Sequence, residues 1–92
     1  MAVYLIHFET NYHHARHYLG WTNNVERRVT EHKNNMGARL LEVINEAGIA
    51  WEVVRIWHDG DRTLERRLKD RHKASQLCPV CRAQKGLPAW PL

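Results

Sequence analysis

The chain has 92 residues, 43% of them hydrophobic, and fourteen Lys and Arg against ten Asp and Glu give a net charge of +4. That length makes one small domain with a sufficient but not generous core, and no apolar run approaches the roughly 18 residues of a membrane-spanning helix. The positive balance favours a polyanionic partner, and seven histidines add to it below about pH 6.5.

The opening MAVYLIHFE lacks the basic start and small-residue cleavage site of a signal peptide, so a cytoplasmic location is expected. Residues 3 to 9 are β-branched and aromatic and predict a first strand. The polar TNYHHAR that follows reads as a connecting loop, and residues 16 to 22, RHYLGWT, as the second strand of an antiparallel hairpin. Gly20, between Leu19 and Trp21, is a weak strand residue. It suits a place where another backbone or a ligand comes close.

A helix is expected from Asn23 as N-cap, with Glu26 completing a capping-box pattern. Val25 and Val29 form its apolar side, and Arg28 and His32, four residues apart, share an adjacent stripe. Residues 37 to 48 predict a second helix, with Leu40, Leu41, Ile44 and Ala47 at three-to-four spacing and Gly48 at its end. AWEVVRIW (50 to 57) reads as the third strand. Asp61 can cap a last helix over 62 to 73, in which Leu64 and Leu68 face the core and Glu65 and Lys69 share another stripe. The fold class is α/β: a small three-stranded antiparallel sheet flanked by helices in the order β-β-α-α-β-α. The domain spans 1 to 75, and residues 76 to 92, which hold all three prolines, read as an extended tail. Trp21, Trp51 and Trp57 are expected in or beside the sheet, with Trp90 in the tail.

In that order several short motifs fall into place. The triplets Ala2-Val3-Tyr4 and Tyr18-Leu19-Gly20, then Thr22, Asn24, Val25 and Arg28, with His32 one turn on, and finally Glu65 four residues before Lys69, resemble the GIY-YIG nuclease family. The resemblance covers about residues 2 to 73. The first triplet lacks the family's glycine, and Gln76 stands near where some members carry Asn.

The resemblance implies a metal-dependent endonuclease that hydrolyses phosphodiester bonds in DNA, with RNA not excluded and a protein partner supplying target specificity. The chemistry of the residues agrees. Magnesium, or manganese, needs few protein ligands and keeps its waters, so the Glu65 carboxylate is sufficient to hold it. Arg28 offers a bidentate match to phosphate. Tyr4 and Tyr18 can position or activate a water, with His32 as the helper that a phenol of pKa about 10 requires. Gly20 would admit the substrate, and Arg66, Arg67, Lys69 and Arg71 would present a basic surface to it. The Tyr4 and Tyr18 hydroxyls, the Arg28 guanidinium and the Glu65 carboxylate are then expected to share one cleft. Taken singly, each residue also has a plain reading: a core tyrosine, an Arg28–Glu31 helix pair, an exposed Glu65–Lys69 pair.

Cys78 and Cys81 have the spacing of half a zinc site. His72 is the candidate third ligand, and His13, His14 or His17 the fourth. Free thiols or a redox pair are the alternatives. A non-catalytic nucleic-acid-binding module of the same fold, or a zinc-supported interaction protein, are the competing functions.

Overall fold

β1 (Ala2–Tyr12) and β2 (Ala15–Thr22) form a hairpin that leads into α1 (Val25–Lys33) and α2 (Arg39–Glu46); β3 (Trp51–His58) and α3 (Arg62–Asp70) follow, then two short helices, α4 (Ala74–Leu77) and α5 (Pro79–Gln84). The computed structural model describes residues 1–71 and 74–86. The order β-β-α-α-β-α is as expected, and the strands make one antiparallel sheet in the order β2-β1-β3.

β1 is the middle strand, and its residues Ala2 to Phe8 are all buried. A strand covered on both faces reads as an unbroken apolar run rather than an alternation, which is what VYLIHF supplies. Alternation of side chains then splits that run between two cores. Val3 and Leu5 pack with Leu19, Leu68, Cys78 and Cys81 on one face, so α3, α4 and α5 cover that side. Tyr4, Ile6 and Phe8 pack with Leu41 and Ile44 on the other, under α2 and beside α1. Trp21, Trp51 and Trp57 are half-buried against these cores, and Trp90 lies outside the described residues.

Several boundaries differ from expectation. β1 continues through Thr10, Asn11 and Tyr12, with Tyr12 paired to Ala15, so that the connection is only His13 and His14; Thr and Tyr are strand formers whose polarity suits a hairpin arm projecting past the core. His13 takes a positive φ of 53° to close the turn. The N-cap of α1 is Asn24, not Asn23: its Oδ1 accepts from the Arg27 amide at 3.0 Å. Thr22 Oγ1 accepts from the Asn24 amide at 3.1 Å and fixes the cap in turn. With the cap moved one place, Glu26 no longer stands at the position a capping box needs.

α2 is shorter than the 37 to 48 pattern and closes as foreseen at Gly48, whose φ is 71°. The Gly48 amide donates to Asn45 O and the Ile49 amide to Ile44 O, the paired bonds of a Schellman ending. Asp61 caps α3 by accepting from the Leu64 amide at 2.9 Å. The extended tail is overturned in part: residues 74 to 77 and 79 to 84 are helical, and Cys78 and Cys81 are buried against the sheet. Pro79 sits at the first position of α5, where a missing N–H costs nothing. Among the described residues no helix is long and apolar enough to cross a membrane.

Candidate functional site

Gly20 stands opposite Tyr4 across the β1–β2 ladder. A Cβ at Gly20 would lie 2.5 Å from Tyr4 Oη and 2.8 Å from Cε1. The glycine therefore makes room for the Tyr4 ring, which lies over the edge strand, and that space is not an opening for a ligand. Tyr4 Oη meets His32 Nε2 at 2.7 Å. His32 is fully buried, and its ring occupies a second space left by a glycine: a Cβ on Gly37 would come within 2.8 Å of His32 Cε1.

The proton positions follow from one neighbour. The Ala38 backbone amide, at 3.3 Å from His32 Nδ1, can only donate. Nδ1 is thus the acceptor, Nε2 carries the hydrogen, and the neutral ring donates to Tyr4 Oη. His32 stays neutral because its pKa is lowered to about 4, chiefly by burial and secondarily by the Arg28 charge, against a smaller pull from Glu31.

Arg28 and Tyr18 complete the group. Burial raises the Tyr4 pKa and Tyr18 adds to the rise, whereas the hydrogen bond and charge of Arg28 oppose it. Burial works against the Arg28 charge, but hydrogen bonds to Tyr4 and to Glu31 outweigh it and raise the guanidinium pKa. The Glu31 pair, 3.3 Å and partly exposed, is the ordinary helix ion pair also foreseen, so Arg28 serves both partners. Tyr18, diagonal to Tyr4 on the same face of the hairpin, has its ring 6.1 Å from the Tyr4 ring and edge-on to His32 at 5.4 Å. Its nearness adds to the rise in the Tyr4 pKa. A directed chain runs from the Ala38 amide to His32 and from His32 to Tyr4, and the Tyr18 ring stands next to it. Tyr4 is fully buried and Tyr18 only half-buried, so the group reaches solvent at Tyr18.

Glu65 is placed differently. It is on α3, which packs through Leu64 and Leu68 on the opposite face of the sheet from α1. Its carboxylate pairs with Lys69 at 3.6 Å. The helix runs beside the edge strand β2: Arg62 stacks over the Trp21 ring at 5.1 Å, and Lys69 lines a hollow together with Tyr18 and Leu19. Glu65 lies on α3 between those two points and shares a shallow depression with Arg62, Thr63, Arg66, Lys69 and Asp70. Arg66, Arg67 and Arg71 are exposed on the same helix and its end. The structure thus brings Tyr4, Tyr18, Arg28 and His32 into one group and sets Glu65 on the helix across the sheet edge.

A second group gathers on the α3 side. His7, His17, Cys78 and Cys81 each direct one donor atom to a common point, all within 4.8 Å of one another, and this set can hold a metal ion. His17 was one of the anticipated ligands. His13 and His14 are exposed at the hairpin turn and are not among the four donors, and His72 lies outside the described residues. His7 was missed because a histidine inside a strand carries no spacing signal. Its one mark is that it faces His17 directly across the hairpin. Sulfur and imidazole donors suit zinc rather than magnesium, which takes oxygen.

No family model matches the chain, and no similar curated protein or solved structure was found.

Proposed function

We propose that the chain is a metal-dependent endonuclease of GIY-YIG type, cutting phosphodiester bonds in DNA. The observation that supports this reading is the gathering of three groups around one buried phenol: His32 Nε2 at 2.7 Å from Tyr4 Oη, the Tyr18 ring 6.1 Å from the Tyr4 ring, and the Arg28 guanidinium near enough to pull the phenol's pKa down against burial. A core tyrosine needs one partner for its hydroxyl. Here a histidine, a guanidinium and a second phenol gather around it, which fixes the hydroxyl in one orientation beside Tyr18.

In this reading Tyr18 Oη faces the attacking water and receives its proton. For this Tyr18 must first give its own proton to solvent, so that the water's proton returns it to the neutral phenol. Tyr4 stays protonated and holds Tyr18 in place, while His32 Nε2–H and the Arg28 charge fix the orientation of the Tyr4 hydroxyl. The Arg28 N–H groups not used by Tyr4 and Glu31 bind a non-bridging phosphate oxygen. Glu65 stands on the helix of the opposite face, so a magnesium or manganese ion held there would neutralise charge on the scissile phosphate only where the DNA backbone crosses the β2 edge between the two faces. Glu65 fits such an ion as an oxygen donor in an open, phosphate-attracting depression. Arg66, Arg67, Lys69 and Arg71 track the DNA backbone, so affinity falls steeply with salt as counterions are no longer released to advantage.

The test is cleavage of plasmid, branched and single-stranded DNA in magnesium or manganese. Tyr18→Phe is expected to lose about a hundred-fold or more in rate, the range of general acid–base catalysis. Glu65→Gln keeps the helix and should leave folding nearly unchanged, since a partly exposed helix ion pair contributes little; it should abolish cleavage while binding to the same DNA is equal or slightly tighter. Arg28→Ala should weaken both. A Glu65→Gln protein that cuts at the wild-type rate would remove the metal from that residue. A wild-type protein that binds salt-sensitively yet cuts none of these substrates would be a non-catalytic nucleic-acid-binding module.

A further inference from the structure

His7 lies in the centre of the sheet at 5% exposure, Cys78 at 0% and Cys81 at 7%. His7 Nδ1 is 3.3 Å from His17 Nε2, 3.4 Å from Cys78 Sγ and 3.6 Å from Cys81 Sγ, and Cys81 Sγ is 3.3 Å from His17 Nε2. Hydrogen bonds do not account for this. A ring nitrogen is either one donor or one acceptor, yet His7 Nδ1 has three close neighbours. Four donor atoms each near the others are the corners of a tetrahedron whose centre one metal ion can fill.

The edge lengths say which ion would fit. With Zn–N near 2.05 Å and Zn–S near 2.3 Å, a regular tetrahedron has N···N edges of about 3.3 Å and S···N edges of about 3.6 Å. The four distances above match these to within a few tenths of an ångström. A two-iron cluster is too large, because it places the histidine pair and the cysteine pair on separate irons, whereas here all four donors converge within 4.8 Å. Magnesium would find no oxygen among them.

We infer that His7 Nδ1, His17 Nε2 and the thiolates of Cys78 and Cys81 bind one Zn²⁺ in a closed structural site that fastens α4 and α5 to the β1–β2 hairpin. Binding displaces the two thiol protons to solvent and leaves no open coordination position, which marks a structural rather than a catalytic ion. The fold has a use for it. α4 and α5 have four and six residues, far below the length at which a helix persists unaided, and they carry the cover over Val3 and Leu5. The sequence distance between ligands is also large, so one ion closes nearly the whole chain into a loop.

The experiment uses the full chain purified under reducing conditions, loaded with zinc and desalted. One zinc per chain is expected by elemental analysis, with both thiols protected from alkylation until a chelator is added. Exchange with Co²⁺ should give the strong visible bands of a tetrahedral ion and a thiolate-to-cobalt charge-transfer band. Cys78→Ser/Cys81→Ser should hold no zinc. The cobalt spectrum reads the wild type, so it remains decisive where the double variant fails to fold. A zinc-loaded chain whose two thiols react at once, a cobalt spectrum without the sulfur band, or stoichiometric zinc in the double variant would each overturn the site.

Discussion

At Gly20 and Gly37 the missing Cβ atoms are what seat the Tyr4–His32 pair. The backbone of Gly20 is ordinary extended strand, so Gly20→Ala is not strained by φ; its methyl meets the Tyr4 ring. Overpacking of this kind costs about 1–3 kcal/mol, and the ring must leave its place. Gly20→Ala should therefore lower the urea midpoint, and combining it with Tyr4→Leu should cost less than the sum of the two single changes, a non-additivity that a double-mutant cycle reads directly. Additive costs would show that the methyl and the ring do not meet. His32 gives a pH prediction. In the unfolded chain a histidine titrates near 6.5, but folded His32 does so near 4 because of burial and then Arg28. The unfolded state thus binds the extra proton, and stability is full above about pH 6.5 and declines as the pH falls towards 4. At about 1.4 kcal/mol per pKa unit the loss is a few kcal/mol at most. Urea midpoints between pH 7 and 4.5 should fall, and fall less in His32→Gln.

Among the elements, helix α1 separates what local chemistry settles from what it leaves open. Asn23 and Asn24 are equally good caps as residue types, and the choice rests on Thr22, whose hydroxyl accepts from the Asn24 amide. Asn24→Ala should cost about 1 kcal/mol, and Asn23→Ala a few tenths; thermal unfolding of the two variants checks the assignment. The strands, α2 and α3 were readable because apolar spacing and turn residues repeat over many positions: Leu41 and Ile44 had to face a core, and Gly48 had to end the helix. Tyr4, Tyr18, Arg28 and His32 were legible only together, through their order. That Tyr4 would be the buried hub and Tyr18 the solvent-facing end was not, because it depends on how far α1 and Gly37 close over the ring. α5 was read as tail because three prolines signal irregularity, whereas Pro79 merely opens a helix. Its cover over the sheet comes from Cys78 and Cys81, a contact set by residues far away in sequence.

For the whole molecule, β1 turns Tyr4 to one face and His7 to the other, so the proposed catalytic group and the metal-holding set share a strand without sharing a side chain. Stripping metal with a chelator should then lower the melting temperature at any magnesium concentration, while Glu65→Gln should leave it unchanged; the two metals are told apart by that difference. The central place of β1 also bears on how the protein is made. Its neighbour β2 follows immediately, but the other neighbour, Trp51–His58, comes only after both intervening helices. While a ribosome is still adding that stretch, the β3-facing backbone of Val3 to Phe8 has no partner, and an apolar unpaired edge of this kind attracts other chains. A nascent chain stalled before Trp51 should therefore be a client of chaperones, and one released after His58 should have closed its sheet.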